Sequence, residues 1–138
     1  MGRGSGGVAQ TKGKSLSTEQ VRQVRVNSYQ KIRTSIENGK SPQSAAKAYR
    51  SQLSGASMFS IETQFLKSID RLAELDAKKE LGTGLDKFEQ TAVKSLEVLA
   101  KVEIDALRDR DSHNKYSGDW YQKKVDAANK KARKQYNP

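Results

Sequence analysis

Between Met58 and Leu107 the apolar residues recur three and four positions apart, and no proline interrupts them. Met58, Ile61, Phe65, Ile69 and Leu72 form one series, and Leu85, Phe88, Ala92, Leu96, Leu99 and Val102 form another. That spacing puts each series on one face of an α-helix. Proline would end a helix, and the chain has only Pro42 and Pro138. No segment sustains the period-two alternation of a half-buried strand. The expected fold is therefore all-α, a bundle of about five helices with an extended, basic, Gly-rich N-terminal arm.

Turn and cap residues divide the chain further. Residues 1–16 read as a flexible basic arm, rich in glycine and serine. Residues 17–55 read as a basic helix pair. Its first helix is expected over 18–37, opened by a capping box of Ser17 and Gln20 and closed by Asn38-Gly39. Its second is expected over 42–54, with Ser41 as cap and Gly55 as stop. Residues 56–112 read as a central apolar hairpin, with helices over 58–81 and 85–107. Gly82 and Gly84 break the chain between them, and Thr83 is the expected cap of the second. Residues 113–138 close with a basic helix over 120–136, capped by Asp119, after a polar linker that begins at Arg108.

Charge follows the same divisions in the opposite sense to hydrophobicity. Residues 1–55 carry ten Lys/Arg against two acids, and residues 113–138 carry seven against two. Residues 56–112 carry nine against twelve, so the positive charge behind the chain's net +10 sits at its two ends. Solubility alone does not require that segregation, and a strongly basic balance implies an anionic partner. Because the mean hydropathy is −0.87, the core must be small.

Several chemistries are set aside. Without cysteine there is no disulfide, thiolate nucleophile or cysteine zinc site. No apolar run is long enough for a membrane span or a signal-peptide core. Gly13-Lys14-Ser15 resembles the end of a phosphate-binding loop, but Val8 stands where that loop needs its first glycine. Asp105, Asp109 and His113 share helical spacing, yet a lone histidine beside a chain break makes a poor metal site. No cofactor and no enzymatic activity are expected.

Three features point at a polyanion. The arm offers Arg3, Lys12 and Lys14. On the first helix, Arg22, Arg25, Tyr29 and Arg33 fall within a narrow arc, a spacing that suits a run of phosphates. Lys40, Lys47 and Arg50 continue the basic character into the second helix. On the last helix, Lys123, Lys124, Lys130, Lys131 and Lys134 lie mostly opposite the apolar side, and Trp120 reads as a packing anchor. An anionic membrane would want bulkier anchors than Ala128 and Ala132. Few Asn or Gln stand among these cations, which favours backbone contact over base reading. Ten such contacts to a duplex would give a slope of log K against log salt near about −9.

The arm at 1–15, the basic helix pair at 18–54 and the apolar bundle from 58 onward together resemble the layout of small helical coat proteins from rod-shaped and filamentous archaeal viruses. The resemblance implies paired subunits that wrap duplex DNA inside a helical particle. The expected function is thus a non-enzymatic structural protein that coats or packages DNA without sequence preference, self-associates, and resides in a virion or a nucleoid. The alternative is a helical interaction module, such as a phage accessory protein or adaptor, with an acidic partner.

Overall fold

The computed structural model describes residues 15–136. Its elements are α1 (Thr18–Glu37), α2 (Gln43–Leu53), α3 (Met58–Leu81), α4 (Lys87–Arg110) and α5 (Gly118–Arg133), with no strand among the described residues. The bundle expected from apolar spacing is present; the arm falls outside the described residues apart from its last two positions.

Local chemistry sets most of the ends. At the start of α1, Ser17 Oγ accepts from Gln20 N at 3.1 Å, and Ser17 N donates to Gln20 Oε1 at 2.8 Å. Gly39 then turns the chain out of the helix at φ +70°, a conformation that favours glycine.

Four boundaries differ from expectation, both ends of α4 and both ends of α5. Asp86, not Thr83, caps α4, and Asp86 and Glu89 form a reciprocal capping box. Gly84, at φ +82°, turns the chain before that cap and leaves Leu85 outside the helix. At its far end α4 continues to Arg110, where Arg110 Nη1 donates to Ala56 O at 2.7 Å and Arg108 Nε to Tyr116 O at 2.7 Å. Those two bonds tie the last turn to neighbouring loops, so the linker begins later than expected. Finally, Ser117 rather than Asp119 occupies the cap position of α5, and the helix stops at Arg133. Asp119 lies in the first turn instead, where an anion suits the helix dipole. The second helix departs only slightly, with Pro42 in its cap position.

α3 and α4 form the central antiparallel pair. α4 also packs against α1 and α2, while α5 packs on α3 and on no other helix to a comparable extent. Leu99 and Leu107 of α4, Ile61 and Phe65 of α3, and Val21 and Ile32 of α1 are fully enclosed. Each such side chain contributes roughly 1.5–3 kcal/mol relative to exposure. Ala128 and Ala132, both buried, let α5 lie close to α3. Trp120 anchors its first turn, stacked on Phe65 at 5.9 Å and edge-on to Tyr116 at 4.8 Å.

α1 and α5 approach α3 from different sides. α1 meets the row Ser60, Gln64 and Ser68, through Thr18–Ser60 and Arg25–Ser68 hydrogen bonds. α5 meets Phe65 and, through Arg133, Asp76 and Glu80. At 3.6 residues per turn these rows lie roughly 120° apart around α3.

Candidate polyanion interface

The arginine row of α1 does not face solvent as a unit. Arg22 is exposed and bonded to Glu19 one turn earlier. Arg25 turns inward, with Nη2 donating to Ser68 Oγ at 3.0 Å and Nε 3.4 Å from Glu103 Oε2. Arg33 is only 5% exposed. It donates to Glu37 at 2.9 Å, to the Tyr29 hydroxyl at 3.0 Å and to the Phe88 carbonyl at 2.9 Å, and its guanidinium lies 3.6 Å from the centre of the Phe88 ring. Arg25, Tyr29 and Arg33 are therefore structural in this fold, which corrects the expectation of three outward guanidiniums in a row. Because the row borders the apolar stripe of α1, and α3 and α4 pack over that stripe, its edge is carried inside.

What draws Arg25 inward is Glu103, an acid with no exposed surface. Tyr49 Oη donates to Glu103 Oε2 at 2.5 Å and Ser68 Oγ donates to Oε1 at 2.8 Å. The carboxyl thus joins one residue from each of α1, α2 and α3 to α4. Burial pushes its pKa up to about 7, against the opposing pull of Arg25, Tyr49 and Ser68. The same burial, with the negative charge of Glu103 close by, drives the Tyr49 phenol far above its ordinary value, so it stays a donor. A sequence signal for this node exists: Leu99, Glu103 and Leu107 share one face of α4, and an acid between two leucines at that spacing is destined for the interior.

The second helix is divided in the same way. Arg50 bonds to Asp109 of α4. Lys40, in the turn after α1, and Lys47, on α2, are exposed and form no ion pair among the described residues.

On α5 the expected cations do lie outside. Lys123, Lys124, Lys130, Lys131 and Lys134 are all exposed. Lys123 is 3.5 Å from Asp119, both side chains being more than three-quarters in solvent, and Lys124 Nζ sits 5.8 Å from the Trp120 ring centre. Lys130, Lys131 and Lys134 have no ion pair among the described residues. Arg133 is the exception on this helix, bonded to Asp76 at 3.2 Å and to Glu80 at 2.8 Å, and the second bond holds the Glu80 carboxyl below its ordinary pKa. Lysine is a compact, strongly hydrated charge on a flexible stem, suited to phosphate oxygens and indifferent to base identity.

The expected cations are thus not brought together on one face. α5 carries one exposed set, Arg22, Lys40 and Lys47 remain on the side of α1 and α2, and Arg3, Lys12 and Lys14 lie outside the described residues. No cluster of three metal-ligating side chains occurs among the described residues, and none of the described helices is long and apolar enough to cross a membrane. Comparison with known protein families, characterised proteins and solved structures finds no match to this chain.

Proposed function

We propose that this chain is a non-enzymatic, self-associating structural protein that coats or packages nucleic acid through phosphate contacts, in a virion or a nucleoid. One observation carries the reading: four lysines project from α5, and Lys134 from its C-terminal cap, while the opposite side of the helix is committed to packing. Their ammonium groups are hydrated and mobile, so they meet a phosphate chain without a fixed register. The exposed Arg22, Lys40 and Lys47, and the arm residues Arg3, Lys12 and Lys14, add contacts wherever the polymer passes them. With Arg25 and Arg33 withdrawn inside and Arg50 bonded to Asp109, eleven of the expected cations remain for such contacts.

The test is binding of the full chain to random-sequence duplex DNA across a series of salt concentrations. The slope of log K against log salt should fall between about −4, for the five lysines alone, and about −10, for all eleven cations. Two unrelated duplex sequences should bind alike. A slope near zero, or binding to an acidic protein with none to duplex DNA, would overturn the reading.

A further inference from the structure

The α3–α4 pair is covered unequally. On one side, α1 packs against both helices; on the other, α5 packs on α3 and leaves the flank of α4 open. A continuous groove results, made of two adjoining hollows of about 690 and 450 Å³ that share Ile69, Leu72, Glu97 and Tyr121. The α4 side chains along it run from Gln90 to Arg108, which is about 27 Å of helix. Leu72 of α3, Val93 and Ile104 of α4, and Val125 of α5 make its walls and floor apolar. One end is closed by Arg108, whose guanidinium lies 5.5 Å from the Tyr121 ring centre.

The lip of that groove on α4 carries Lys94, Glu97, Lys101 and Asp105, in that order. The order is its own electrostatic complement when reversed. In an antiparallel copy of the helix, Glu97 faces the copy's Lys101 and Lys94 faces the copy's Asp105. Each pair then recurs by symmetry. Both pairings reflect about the same point, close to Leu99, to within one residue or about 1.5 Å of rise. Lys94 and Glu97 are exposed and have no ion pair among the described residues, and the only ion pair in the set joins Lys101 to Asp105 at 2.6 Å. An acidic partner helix would leave Glu97 and Asp105 opposed by like charge. A second copy opposes neither.

We infer that the groove between α4 and α5 is the seat of a second copy of this chain, with the two α4 helices antiparallel across a two-fold axis near Leu99. The same patch serves both subunits, as a two-fold interface requires. The half-buried Val93 of each copy packs along the other's groove, and the four ion pairs fix the register. This gives a surface to the self-association in the proposed function. The two are tested apart, because oligomeric state is measured here without nucleic acid.

The experiment is analytical ultracentrifugation of the full chain, free of nucleic acid, from low to high micromolar concentration. The chain as it stands should be a dimer. Glu97→Lys sets like charges against each other twice across the axis, and should raise the dimer dissociation constant at least about tenfold. Glu97 is exposed and unpaired, so helix content by circular dichroism should not change. The double variant Glu97→Lys/Lys101→Glu reverses every central pair and should restore the dimer. A monomer at all concentrations would overturn the inference, as would a Glu97→Lys protein that still dimerises like the parent, or a double variant no tighter than the single. Loss of salt-dependent DNA binding with the dimer intact would instead count against the proposed function alone.

Discussion

α1 and α5 are both amphipathic and both basic, yet they use their cations in opposite ways. α1 offers arginines at the border of its packing stripe, and the fold takes two of the three inside to bond Ser68 and Glu103 in one case, and Tyr29, Glu37 and the Phe88 carbonyl in the other. α5 offers lysines on the side away from its stripe, and the fold leaves them in water. Guanidinium has a planar fork of donors and is weakly hydrated, so it tolerates burial among several acceptors; ammonium holds its water and stays out. On the border of a packing face an arginine becomes part of the structure, whereas opposite that face a lysine remains available to a partner.

The sharpest test of that contrast is Arg25→Ala. It strips Glu103 of its only cation among the described residues while leaving the acid enclosed, and should destabilise the fold by about 3 kcal/mol or more in urea unfolding at about pH 9, where the parent carboxyl is charged. A loss no larger than that of an ordinary surface substitution would show that Arg25 is not structural.

The pH dependence of stability comes next. Burial raises the Glu103 pKa from 4.5 to about 7, so the folded protein holds this proton more tightly than the unfolded chain does. The group carries no penalty below about pH 4.5, where both states are protonated. The penalty grows as pH rises from there to about 7 and is constant above. Stability should therefore decline across that window, and Glu103→Gln should flatten the decline. Glu80 and Glu89, held low by Arg133 and Lys78, act in the opposite sense and only in more acidic solution.

The α5 side of the contrast is tested by Lys123, Lys130, Lys131 and Lys134 replaced together by alanine. Denaturation midpoints should barely move. The salt slope of duplex binding should become shallower by about 3 to 4, one phosphate contact being worth roughly 0.9. Smallest of all is Arg22→Ala. Arg22 is the one exposed arginine of α1, and its removal should leave thermal stability unchanged, unlike that of its neighbour Arg25.

The sequence by itself determined the all-helical architecture, the bounds of α1 and α3, and the outward position of the α5 lysines. Helical period, capping chemistry and glycine are local matters, written within a few residues of where they act. It was less informative at the start of α4, where Thr83 and Asp86 compete as caps, because the turn at Gly84 decides between them. Only the tertiary structure decided the fate of the α1 arginines. Whether Arg33 meets a phosphate or the Phe88 ring depends on a helix more than fifty residues away, and helical spacing says nothing about which neighbour covers the edge of a stripe. The same holds for the placement of α1 and α5 on different sides of α3, and for the uncovered flank of α4. The lysines and acids on that flank are plain in the sequence. That they line a groove is a property of packing, because a groove exists only where neighbouring helices fail to meet.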